Sequence, residues 1–277
     1  LGVSGDWLDK ITLFGEPFGR DNAIEVANFM IVFGIPLDEA DMKCFESRKE
    51  AIKEYFPSME QSQGLHIHFG NESEKPPPPP PLAWKLSEYG RDGEPLWTVE
   101  FGNQGVVVSS RAYDKGDDVW PKAKDCLNAL LDCVSPYMPV QSILYSVTDS
   151  FSAKKDDGAL VCPNFFVENE RLPVHLLEYR DPRWDISQGW FENGDDGEVT
   201  LVRFDAKGFL ENDRTIFRFS NAHSRRLANE PPLKGLLATH DGSFIEQTFD
   251  GYHTANKTFV MSVLRPDLLR RMGMGES

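Results

Sequence analysis

The chain has 277 residues, is 40% apolar and carries a formal charge of −15 at pH 7. That length is enough to bury one large core or two smaller ones, and the apolar content takes the chain out of the range of sequences that stay disordered. The charge repels phosphate backbones and anionic lipid at long range, so unaided binding to nucleic acid or to a membrane surface is not expected.

Residues 22–34 are dense in β-branched and aromatic side chains and predict a strand that ends at Gly34. Beyond Pro36, apolar residues recur at helical spacing. Ala40, Cys44, Ala51 and Tyr55 mark one face, with Phe45, Ile52 and Phe56 beside it, so a helix is expected over 37–56 with Pro57 as its stop. Residues 64–69 alternate, which places Leu65, Ile67 and Phe69 on one side of a strand and His66 and His68 on the other. The run Pro76 to Pro81 has no backbone donors and predicts an extended polyproline loop.

Trp84 to Ser87, Leu96 to Phe101 and Val106 to Val108 are separated by the turn signals Asp92-Gly93 and Asn103-Gln104-Gly105, the pattern of an antiparallel meander. A second helix is expected over 118–134, with Pro121 in its first turn. Its stripe is Val119, Ala123, Cys126, Leu127, Leu130, Leu131 and Val134. A strand should follow over 140–148.

The polar stretch 150–163 reads as a joint between a first half, 1–150, and a second, 151–277. The second half offers strands over 184–191, 199–204 and 215–219, with a turn expected at Gly208. A long helix over 243–263 has Asp241 or Ser243 as its cap, and a short one over 266–272 is opened by Pro266. Gly90-Arg91-Asp92-Gly93-Glu94 is echoed by Gly194-Asp195-Asp196-Gly197-Glu198, each followed by strand, turn, strand and a later helix. The expected fold is α+β: antiparallel sheets covered by amphipathic helices, in two halves that are either related by duplication or alike only in the acidic glycine turns common in sheets.

No nucleophile elbow, phosphate-binding glycine loop or HExxH helix is present, and no cofactor is expected. Cys44, Cys126, Cys133 and Cys162 include no CxxC pair, which suits a reducing compartment, and Cys126 and Cys133 read as small buried residues on one helix face. No long apolar run or signal-peptide pattern is visible, so a cytoplasmic location without a membrane span is expected. The histidines are the chemical candidates. His66 and His68 have the period to approach one metal or ligand from a strand face, and His223 and His253 could join them in a pocket between the halves. Arg218, His223, Arg225 and Arg226 form a local basic stretch that could hold an anion. Two readings stand. The first is a non-enzymatic acidic protein-binding or accessory protein, the partner or inhibitor of a basic protein or of an enzyme. The second is a metal- or small-ligand-dependent enzyme with that histidine-lined pocket.

Tyr55-Phe56-Pro57, Trp84-Lys85-Leu86-Ser87 with Asp92-Gly93, Val99-Glu100-Phe101, Val106-Val107-Val108, Trp120, Phe249-Asp250-Gly251-Tyr252-His253, Asn256-Lys257-Thr258-Phe259 and Leu264-Arg265-Pro266-Asp267-Leu268-Leu269 together resemble an uncharacterised, sporadically distributed bacterial protein family. The resemblance spans most of residues 24–273. It implies an accessory or partner role and supplies no catalytic residue.

Overall fold

The computed structural model describes residues 16–17, 24–53, 56–63, 82–102, 104–112, 116–154, 161–194, 198–212, 214–237 and 243–271. Its strands are β1 (Glu16–Pro17), β2 (Ile24–Phe33), β3 (Ser58–Gln63), β4 (Leu82–Tyr89), β5 (Pro95–Gly102), β6 (Gly105–Ser110), β7 (Val140–Lys154), β8 (Trp184–Asn193), β9 (Val199–Glu211) and β10 (Arg214–Arg226). Its helices are α1 (Glu39–Lys53), α2 (Gly116–Leu131), α3 (Leu233–Leu237), α4 (Phe244–Val263) and α5 (Pro266–Arg271).

Period-two alternation explains the sheet. In β2, Ala27, Phe29, Ile31 and Phe33 are buried while the residues between them are half-buried. Phe29 lies opposite Val108 of β6 and Tyr145 of β7, and Ile31 lies opposite Val106 and Ile143, so the apolar sets of three strands fall on one side. The same register runs outward in both directions and gives one antiparallel sheet, ordered β3-β4-β5-β6-β2-β7-β10-β9-β8, with β1 on β7.

Helices cover the apolar side. Phe45 of α1 stacks on Phe101 at 4.7 Å, and Phe29 meets Trp120 of α2 at 5.2 Å and Phe249 of α4 at 5.5 Å. A second aromatic cluster gathers Phe151, Phe165, Phe166, Trp184, Phe204, Phe217 and Phe219, all buried. Burying each such ring stabilises the fold by about 2–3 kcal/mol. The far side of the sheet carries small and polar residues, among them Asn28, Ser146, Ser220 and Ser224. There Glu25 receives Ser150 Oγ at 2.6 Å and pairs with Arg218 at 2.8 Å. Among the described residues no helix is long and apolar enough to cross a membrane.

The strand order repeats. In the first half β2 is followed by the meander β4-β5-β6, β6 returns to pair with β2, and α2 follows. In the second half β7 is followed by β8-β9-β10, β10 returns to pair with β7, and α4 follows. β2 and β7 are antiparallel neighbours, so the two sets lie in reversed order about the sheet centre. The matching turns close alike: Gly90 N donates to Glu94 O at 2.8 Å, and Gly194 N donates to Glu198 O at 2.8 Å. The sequence echo marks structurally equivalent hairpins.

Several local expectations are corrected. β7 continues through the polar joint to Lys154, because Ser150 and Ser152 bond across the far side rather than ending the strand. Gly208 is not a turn. It sits inside β9 opposite Phe217, and the Trp184 indole and the Pro182 carbonyl fill the space a Cβ would need. Pro121 lies inside α2 rather than in its first turn, and Cys133 lies just past that helix, in a turn closed by its N–H to Leu130 O at 3.0 Å. β3 and α3 had no clear sequence signal. The expected strand at 64–69 and the polyproline run lie outside the described residues.

Candidate functional site

Alternation along β10 turns Asn221 and His223 toward the helices, and α4 presents Phe249, Tyr252 and Asn256 on its buried stripe. His223 is paired in register with Tyr145 and stacks on Tyr252 at 5.5 Å and 24°. His253 meets Tyr145 edge-on at 6.4 Å. The structure therefore brings His223 and His253 together around Tyr145, whereas His66 and His68 lie outside the described residues.

This seam is polar. Asn221 Nδ2 and His223 Nε2 are 3.3 Å apart, and Asp149 is two residues along β7 from Val147, the register partner of Asn221. Asp149, Asn221, His223 and Asn256 are all buried, and one side-chain oxygen of each of Asp149, Asn221 and Asn256 has no hydrogen-bond partner. Burial pushes the Asp149 carboxyl up to about 7. It pulls His223 down to about 4, with the charge of Glu192 opposing. Asp149 lies opposite Phe219 and His223 opposite Tyr145, so the two groups sit at separate points along the same buried seam, each shifted by its own burial. Among the described residues no group of three or more His, Cys, Asp or Glu is placed to hold a metal ion.

The second arrangement is open. β8 is the last strand of the sheet and, among the described residues, pairs only with β9. Trp184 and Trp190 point to the helices, where Trp190 packs on Phe259 at 5.1 Å and Trp184 on Phe166 at 5.9 Å. Phe191 must then face the other way and is 71% exposed. Its register partner Leu201 and the nearby Val199 are exposed as well, so three large apolar residues sit at one corner of the sheet. Beside Val199 is an open cleft of about 600 Å³ that also involves Glu198, Arg226 and Glu230.

The cleft wall is a turn with Asn229 at φ 59° and Glu230 at φ 44°. Successive left-handed residues without glycine cost roughly 1–2 kcal/mol each, and such strain collects at binding sites. Here it is held by Leu227 N to Gln141 O at 2.9 Å and Val140 N to Pro231 O at 3.0 Å, and the Glu230 carboxylate lies against Gly34. Glu192 and Glu198 form an acidic rim on the helix side of this corner, the face opposite Phe191 and Leu201, and Glu230 adds a carboxylate at the cleft. Glu192 accepts from Trp190 Nε1 at 2.8 Å, and Glu198 pairs with Arg225 at 3.7 Å.

The basic stretch around 218–226 does not converge. Alternation sends Arg218 to the far side with Glu25, Arg225 toward Glu198 and Phe244, and leaves Arg226 exposed at the cleft. Sequence reasoning missed the corner. The signal was Trp190-Phe191: adjacent aromatics on a strand must face opposite sides, and a one-sided core can bury only one of them. Searches against protein-family models, curated proteins and solved structures return no match for this chain.

Proposed function

We propose that the chain is a non-enzymatic protein-binding or accessory protein, the partner or inhibitor of a basic protein, and that it docks this partner at the β8–β9 corner. The observation that carries the reading is the coincidence of a long open edge strand, an exposed apolar trio and an acidic rim. β8 spans Trp184–Asn193 without Lys or Pro, the residues that usually blunt an edge, and among the described residues no strand pairs with its outer side, which suits it to accept an added strand. Phe191 would supply the buried anchor of the interface, and Glu192, Glu198 and Glu230 would attract Lys or Arg of the partner. The overall charge of −15 steers such a partner in, and salt weakens that steering.

The test is capture from the native cell at low and high salt, with wild type and Phe191→Asp side by side. A partner held by wild type, loosened by salt and lost in the variant supports the reading. A wild-type protein that stays alone, or a partner held equally by both, refutes it.

The second reading is a metal- or small-ligand-dependent enzyme. It draws on His223 and His253 both flanking Tyr145, His223 as its register partner and His253 edge-on to its ring. Metal analysis of protein made without a histidine tag separates the two. Stoichiometric metal that is lost in His68→Ala favours the enzyme.

A further inference from the structure

α1 opens with a reciprocal cap. Asp38 Oδ1 accepts the N–H of Asp41 at 2.9 Å, and Asp41 Oδ2 accepts that of Asp38 at 3.1 Å. The other oxygen of Asp41 accepts Ser135 N at 2.8 Å, just beyond the end of α2. Two turns further along α1, Arg48 pairs with Asp132 at 3.5 Å. Positions 41, 44 and 48 share one helix face, so these contacts bracket Cys44 and hold it against residues 132–135. The residue it faces there is Cys133, whose thiol donates to Ala129 O at 3.7 Å and lies close enough to Cys44 for that thiol to act on it. Cys133 is buried and Cys44 is half-buried, and both are reduced thiols.

We infer that Cys44 and Cys133 form a reversible, oxidation-dependent disulfide that pins α1 to the end of α2. The order of events follows from access. Cys44 meets a peroxide first: its sulfur bonds to one peroxide oxygen, the O–O bond breaks, and water leaves a sulfenic acid. Cys133 then attacks the Cys44 sulfur. The S–S bond forms, the S–O bond breaks, and the departing hydroxide takes the Cys133 proton as water. Two thiols and one hydrogen peroxide give one disulfide and two waters. Burial and the neighbouring Cys44 thiol push the Cys133 thiol up to about 12, while Arg48 on the adjoining turn opposes the rise. Cys133 is therefore the slower, resolving partner. Cys126 and Cys162 are buried, are held up to about 11 and about 12 by that burial, and have no cysteine among the groups acting on them, so they take no part.

The experiment is peptide mapping of the full chain after hydrogen peroxide, without denaturant, under non-reducing conditions. A single cross-linked peptide pair containing Cys44 and Cys133 is expected, two hydrogens lighter than its parts and reversed by dithiothreitol. It should be absent in Cys44→Ser and in Cys133→Ser and kept in Cys126→Ser and Cys162→Ser. The cross-linked form should melt about 5–10 °C higher. If Cys133→Ser fails to fold, Cys44→Ser, at a half-buried position, carries the test alone. Sulfinic or sulfonic acid on Cys44 without a cross-link, or a cross-link through Cys126 or Cys162, overturns the inference.

Discussion

Asp149 and His223 make opposite demands on pH, and substituting one of them exposes the other. Burial raises Asp149 from 3.8 to about 7 and lowers His223 from 6.5 to about 4. The folded state therefore holds a proton on Asp149 that the unfolded chain has released above pH 3.8. This makes stability fall as pH rises from about 4 to about 7. The folded state also refuses a proton on His223 that the unfolded chain takes up below pH 6.5, so stability falls as pH drops from about 6.5 to about 4. Each pH unit of difference is about 1.36 kcal/mol, giving about 4 kcal/mol for the acid and about 3 kcal/mol for the imidazole. Between about pH 4 and 6.5 the two slopes have opposite sign and nearly equal size, so in wild type they cancel.

The assay is urea unfolding from about pH 4 to 8 for wild type, Asp149→Asn and His223→Gln, read as the difference of each variant from wild type so that the surface carboxylates drop out. Asp149→Asn should gain on wild type by about 4 kcal/mol as pH rises from about 4 to 7, and no further above that. His223→Gln should gain by about 3 kcal/mol as pH falls from about 6.5 to 4. A flat difference curve for Asp149→Asn would show that the carboxyl is not held protonated. A curve of opposite sign, with the variant losing ground as pH rises, would mean that Asp149 is ionised against a cation.

Gly208→Ala should destabilise by about 2–3 kcal/mol in urea unfolding, since the new Cβ runs into the Pro182 carbonyl and the Trp184 indole, and backbone cannot swing aside. Ser243→Ala removes the hydroxyl that accepts Glu246 N at 3.2 Å at the start of α4 and should cost about 1 kcal/mol, seen as a lower Tm. Glu230→Gly relaxes a left-handed residue and should raise stability by about 1 kcal/mol while weakening capture of a basic partner, a split visible by comparing thermal melts with binding.

Periodicity carried most of the fold into view. The three long helices were legible because stripes such as Val119, Ala123, Leu127 and Leu130 face one sheet. The expected limits of 37–56, 118–134 and 243–263 fall within about three residues of those observed. Ser243, one of two caps read from sequence, is the cap used. Gly208 misled because glycine signals both a turn and a close approach, and only the position of Trp184 decides between them. The length of β7 was hidden because its last residues are serines that bond across the sheet instead of burying apolar groups. In the seam, His223 and His253 are the residues the sequence marks for chemistry, but the buried Asp149 and Asn256 along it can be placed only once register and helix phase are known. The exposed corner had no composition signature, since an exposed Phe and a buried Phe are the same letter.

The internal repeat sharpens where a partner would dock. In the first half the outer strand of the meander, β4, does not end the sheet, because β3 pairs along it from Ser58↔Ser87 to Gln63↔Leu82. β8 is the equivalent strand, joined to the next by the equivalent turn, and among the described residues nothing occupies the matching place beside it. The same scaffold therefore shows an antiparallel strand seated on one outer edge and, among the described residues, none on the other. That open edge is also the one with Phe191 turned outward on one face and Glu192 and Glu198 on the other, whereas on the occupied edge Glu88 is engaged by Lys122 from α2. A partner segment adding to β8 as β3 adds to β4 would bury Phe191 and Leu201 beside its side chains on one face, and its alternate, basic residues would reach Glu192 and Glu198 on the other. Amide exchange resolved along β8 would then slow only when the partner is bound, and slowing confined to the helices would place the interface elsewhere.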